Sequence, residues 1–212
     1  EQVMFRQITT SEGLSNNNIN SLYRDSRGFL WIGTNSGLNR HDSYNLQQYY
    51  QDTDGLPSNS IGNIFEDWDG NIWIGSEHGY TIYDYQTGSF SPDCKTRLHE
   101  LNIPCDTVSM AGMDSKMKYL WVYDNNKIYL YNPRQKMTKI YPLMSSSISK
   151  LVVTDKYIYS IYNDGRLFIT DINSSLNQEV AIPSQYGSSL RKHFPKVYVD
   201  SNDGIWVHTF QN

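Results

Sequence analysis

Side chains able to do chemistry are scattered through this chain. Five histidines, His41, His78, His99, His193 and His208, share no motif spacing. No His-Glu-x-x-His, no Gly-x-Ser-x-Gly and no phosphate-cradling glycine loop occurs. Asp-Thr-Asp-Gly at 52–55 and Asp-Trp-Asp-Gly at 67–70 open like calcium loops. Neither continues into the alternating oxygen ligands and closing Glu that such a loop needs, so both read as solvated turns. A carboxylate pair for glycoside hydrolysis stays open, because its separation is a tertiary property. Cys94 and Cys105 have no further Cys or His at zinc-ligand spacing. They are two reduced thiols, or in an oxidising compartment a disulfide closing a short loop. The expectation is no catalytic residue, no metal and no cofactor.

The elements that would carry any site come from a repeat. "DSRGFLWIGT" (25–34) and "DWDGNIWIGS" (67–76) stand 42 positions apart. Leu14 and Leu56, Ile19 and Ile61, Gly28 and Gly70, Trp31 and Trp73, Gly33 and Gly75, and Gly37 and Gly79 keep the same interval. A period of this size marks a stacked array of one supersecondary unit. Within each unit a strand-like run ends in Asp and an Asp/Gly turn follows. A Trp-bearing strand, a second turn and two further runs complete it. Leu30-Trp31-Ile32 is apolar on consecutive residues, so both faces of that strand must be covered. A four-stranded meander covered on both faces by its own copies is a propeller blade.

Composition agrees with strands. The chain holds 17 Tyr, 7 Phe and 5 Trp, and only 95–103 is a credible short helix. A net charge of −4 without a basic run argues against direct nucleic-acid contact. No apolar run has membrane-spanning length.

Later units are degenerate. Trp121 lies 48 positions beyond Trp73, the six extra residues falling in the Cys94–Cys105 segment. Ile158-Tyr159 takes the Trp strand's place in the next unit, and Asp200 and Trp206 restore the theme. The expected fold is all-β: a β-propeller of four-stranded antiparallel blades, with about four and a half blades of an incomplete ring. Blade 1 is placed at 13–50, blade 2 at 55–91, blade 3 at 106–143, blade 4 at 148–182 and the start of blade 5 at 195–212. A ring-closing strand is expected at 3–9, and the whole is read as the N-terminal part of one larger propeller. Trp31, Trp73, Trp121 and Trp206 are assigned to the core rather than to sugar stacking.

Blade loops divide by end. The turn between the second and third strands carries Asn35 and Ser36, Glu77 and His78, and Asn125, with Asn16, Asn17 and Asn59 in the links. Amides, hydroxyls and a carboxylate suit a neutral or mildly cationic sugar. Asn17 and Asn59 recur and read better as turn caps. Glu77 and His78 do not recur and are the better candidates. Trp68, inside the opposite turn, is either an exposed contact residue or a ring lying flat over its neighbour.

"GLSNNNINSLYRDSRGFLWIGTNSGLNRHD" (13–42) and "GLPSNSIGNIFEDWDGNIWIGSEHGYTIYD" (55–84) resemble the regulator-propeller repeats of Bacteroides-type hybrid two-component sensor kinases. The resemblance is dense over 13–90, thin over 91–196 and returns at 197–207. It implies a periplasmic sensor region with two seven-bladed propellers and a β-sandwich domain, working as a homodimer. A membrane anchor, a histidine kinase and a DNA-binding output would follow C-terminal to these residues. Such sensors recognise oligosaccharides released from glycans and switch on polysaccharide-utilisation genes. A propeller glycosidase or lyase and a non-binding dimerisation scaffold are the alternatives.

Overall fold

The computed structural model of the protein describes residues 7–143, 148–182, 196–200, 202 and 204–208. These fall into two compact units, Glu1–Ala111 and Gly112–Asn212. The first unit holds two sheets. One is β1 (Ile19–Arg24), β2 (Leu30–Thr34), β3 (Gly37–His41) and β4 (Leu46–Tyr49). The other is β5 (Ile61–Glu66), β6 (Ile72–Ser76), β7 (Gly79–Asp84) and β8 (Ser89–Phe90). The short helix α1 (Gln51–Asp54) links them, and α2 (Lys95–Glu100) follows the second sheet inside the stretch expected to be helical.

Further on, β9 (Met110–Met113), β10 (Leu120–Tyr123), β11 (Lys127–Asn132) and β12 (Met137–Pro142) form a third sheet. A fourth contains β13 (Ile148–Val153), β14 (Tyr157–Tyr162), β15 (Leu167–Asp171) and β16 (Asn177–Val180). The pair β17 (Lys196–Val199) and β18 (Ile205–His208) is a partial fifth. Every sheet is a meander in chain order. The architecture is all-β, as the repeat demands.

The repeated Asp explains the repeated spelling. Asp25 Oδ1 accepts the backbone N–H groups of Arg27 (3.0 Å) and Phe29 (2.9 Å), and Oδ2 accepts Trp31 Nε1–H at 2.7 Å. Asp67 repeats the pattern with Asp69, Asn71 and Trp73 at 3.0, 3.1 and 3.1 Å. Asp200 does so with Asn202, Gly204 and Trp206 at 2.9, 2.8 and 2.9 Å. One carboxylate thus closes the turn and aims the indole, which requires Trp six residues after Asp. Gly28 and Gly70 sit at φ +94° and +80° within these turns, where an L side chain is strained.

The indole then meets the next sheet. Trp31, fully buried, packs edge-on to Tyr83 at 5.2 Å between ring centroids and to Tyr85 at 6.3 Å. Around it gather Leu38, Tyr49, Leu56, Ile61, Ile64, Ile72 and Ile74. Gly33 is required where the sheets touch: a Cβ there would lie 2.7 Å from Ile61 Cγ2.

Two expectations need correction. Trp206 is 66 % exposed, and Trp121 is only partly buried. Trp31 shows that the indole faces the sheet that follows, and none follows β18 among the described residues. In the third sheet the turn is one residue longer: Asp114 takes Lys116 N–H and Tyr119 N–H, so Trp121 falls seven residues on, outside the six-residue pattern. The strand expected at 3–9 lies at 3–6 outside the described residues. Gln7 to Thr9 are not strand, and Thr9 caps a 3-10 turn, Thr10–Glu12.

These burials set an expected contrast, read by urea unfolding of residues 1–212. Trp73→Ala costs about 3–5 kcal/mol, as large core truncations do. Trp206→Ala costs less than about 1 kcal/mol, as surface changes do. Equal losses would contradict the direction in which the indoles face.

Candidate functional site

The insertion 91–109 builds what the repeat alone does not. It folds as α2 and two flanking loops, and buries Cys94, Leu98, Leu101, Ile103 and Cys105. Arg97 anchors α2 to the β5–β6 turn. Its guanidinium pairs with the buried Asp67 carboxylate at 3.3 Å, with Asp69, and with Glu100 at 3.3 Å.

Between this insertion and the β6–β7 turn lies a cavity of about 560 Å³. Glu77 and His78 stand at its mouth, their side chains mostly solvent-exposed, with His78 Nδ1 3.7 Å from Glu77 Oε1. Asp93, Lys95 and Asp106 complete the charged lining, so carboxylates outnumber cations. Asp93 Oδ1 accepts the Lys95 N–H at 2.8 Å, which fixes the first turn of α2 against the cavity. Such a lining offers acceptors to hydroxyls and favours a neutral or cationic ligand over an anionic one.

The other candidate residues are placed apart from this pair. Asn35 accepts from Asn20 Nδ2 at 2.7 Å, and Ser36 Oγ accepts from Asn16 Nδ2 at 3.1 Å, so both brace the edge of their own sheet. Asn17 Oδ1 accepts Thr10 N–H at 3.0 Å and Asn59 Oδ1 accepts Gln51 N–H at 2.7 Å, each capping a turn. Asn125 lies in the second unit, at φ +74° in the β10–β11 turn. Trp68 stands at the other end of β6 from Glu77 and His78. It is half-buried, with the Arg97 guanidinium 5.4 Å from its ring centroid.

Sequence reasoning missed Asp93, Lys95 and Asp106, because they belong to no repeat. The one signal for them was the interval of 48 rather than 42 between Trp73 and Trp121. Among the described residues, no group of three or more His, Cys, Asp or Glu is arranged to hold a metal ion.

The disulfide weighed for Cys94 and Cys105 is not formed. Both are buried, unbridged thiols, and Cys105 Sγ–H donates to the Thr107 carbonyl at 3.0 Å. Burial pushes the Cys94 thiol up to about 12, so it stays protonated and a poor nucleophile although it lines the cavity. Iodoacetamide at pH 8 should therefore leave Cys94 unmodified in the folded protein and alkylate it in urea, as read by peptide mass spectrometry. Labelling of the native protein at a free-cysteine rate would contradict the buried thiol.

Residues 13–36 and 50–78 match the family model described as "Two component regulator propeller". No curated protein sequence matches the chain. Among solved structures, the extracellular domain assigned to a hybrid two-component system of B. thetaiotaomicron aligns with TM-score 0.68 and 23% identity. That alignment covers 96% of this chain and 29% of the other. A second such domain from the same organism aligns with TM-score 0.66 and 20% identity, over 91% of this chain and 26% of the other. The chain thus spans under a third of the length of these structures. Virginiamycin B lyase from Staphylococcus aureus aligns with TM-score 0.57 and 14% identity, over 90% of this chain and 62% of the other. At such identities the likeness is one of fold. By its meanders, its turn-to-indole spacing and these matches, the chain has the β-propeller fold, and its residues 13–36 and 50–78 match the two-component regulator propeller repeat.

Proposed function

We propose that this chain belongs to the extracytoplasmic sensor region of a hybrid two-component histidine kinase. It would recognise oligosaccharides released from glycans and signal across the membrane to control polysaccharide-utilisation genes. The observation that carries the reading is the pair of regulator-propeller repeats on a fold like that of extracellular two-component domains. In this reading the region is periplasmic and dimerises as a whole. The segment does no chemistry itself and touches no nucleic acid, while the membrane anchor and kinase lie C-terminal to it.

Glu77 and His78 are the ligand contacts we assign within these residues. Their side chains reach solvent at the mouth of the 560 Å³ cavity. Both can accept or donate to sugar hydroxyls without breaking a bond that holds a sheet. Asn35 and Ser36 would have to give up such bonds.

The test is a thermal-shift series on the whole extracytoplasmic region with purified glycan oligosaccharides, the products being followed by chromatography. Binding at a hundredfold excess over Kd should stabilise the protein by about 2.7 kcal/mol. The double variant Glu77→Ala/His78→Ala should lose most of that shift while melting like wild type without ligand. Turnover of an oligosaccharide would replace the sensor by the propeller enzyme. No shift with any glycan would leave only the scaffold.

A further inference from the structure

The second unit contains a cavity of about 330 Å³ between the third sheet, at β11 and β12, and the fourth, at β14 to β16. One lining position departs from the residue type of the earlier sheets. Leu22 pairs with Ile32 and Ile64 with Ile74 in the first two sheets, and Leu151 pairs with Ser160 in the fourth. In β10, Val122 follows Trp121 as Ile32 follows Trp31 and Ile74 follows Trp73. Three sheets therefore place Ile, Ile and Val at this point, and the fourth places Ser160.

Ser160 is 4 % exposed and lines the cavity. Its hydroxyl can both donate and accept toward that space. Two rings of the wall have fixed partners. Tyr141 is held through its hydroxyl, which donates to the Ile172 carbonyl at 2.8 Å, and Tyr162 packs edge-on to Phe168 at 5.3 Å. Ile128 adds an aliphatic surface. Thr170 and Asn177, bonded to each other at 3.2 Å, give a polar edge on which the Asn177 amide N–H groups remain to donate. Among the described residues no Asp, Glu, Lys, Arg or His lines the cavity.

We propose that this cavity is a binding site for a single neutral, hydroxyl-bearing ring, of the chemical class of an uncharged monosaccharide unit. Volume sets the size, at the lower end of small-ligand pockets. Aromatic and aliphatic walls match the apolar face of such a ring, and Ser160 and Asn177 match its hydroxyls. A charged ligand would find no counter-charge in this lining. The site is separate from Glu77 and His78, which belong to the first unit, so either assignment can fail without the other.

Isothermal titration of the protein with glucose, galactose, mannose and xylose tests this, with glucosamine and glucuronate as charged counterparts. We expect at least one neutral sugar to bind, and its charged counterpart to bind at least about tenfold more weakly. Ser160→Ile, which restores the residue type of the other sheets, should abolish that binding while holding or raising the melting temperature. Glu77→Ala should leave it unchanged. If Ser160→Ile folds poorly, Asn177→Ala on the exposed edge strand decides, with an expected loss of about fivefold. The proposal is overturned if no neutral sugar binds or if charged counterparts bind equally. It is equally overturned if a folded Ser160→Ile, or Asn177→Ala in its place, binds as wild type does.

Discussion

A carboxylate buried in a turn has to be saturated with donors, and much of the fold follows from how this is done. Asp25 and Asp67 are almost wholly enclosed, and an enclosed carboxylate without donors is costly. The backbone supplies two N–H groups only if the chain turns sharply, and the third donor is an indole only if Trp stands six residues on. That single requirement closes the β1–β2 and β5–β6 hairpins and points a large ring at the neighbouring sheet. The third and fourth sheets meet it by other means. Asp114 saturates itself in a longer turn. Thr154 substitutes a hydroxyl that accepts the N–H groups of Lys156 and Tyr157.

The same turns are stitched to their neighbours by residues far away in sequence. Glu66 accepts both Ser26 N–H at 2.7 Å and Ser26 Oγ–H at 2.6 Å, and Tyr85 donates its hydroxyl to Asp25. Arg27 lies 3.9 Å over the Tyr85 ring and donates to the Gly70 carbonyl at 3.1 Å. At the second turn the guanidinium of Arg97 does comparable work from α2. In the first two sheets that end is thereby committed to holding one sheet to the next. The opposite turns carry fewer such ties, and Glu77 and His78 stand there largely in solvent.

The two cavities differ in chemistry for reasons rooted in their origins. The first is walled by an insertion and two loops, so charged residues stay hydrated at its mouth and carboxylates dominate. The second lies within the packing of two sheets, and its lining is uncharged. An acidic cleft and an uncharged one select different ligands.

What the sequence alone determined is the periodic part of this molecule. Asp, Gly and Trp at constant offsets dictate turn and strand wherever local hydrogen bonds decide, and strand order follows from short connections. Trp31, Trp73 and the helical tendency of 95–103 were legible on those terms. Burial of Trp121 and Trp206 was not, since it depends on which sheet lies in front of the ring. Trp68 and Arg97 met only through the tertiary fold, and so did Glu77 with Asp93 and Asp106. The same packing buried the Cys94 and Cys105 thiols without a bridge between them. Periodicity constrains neighbours along the chain, whereas a cavity is made by side chains that share no local bond, and only the packed sheets bring those together.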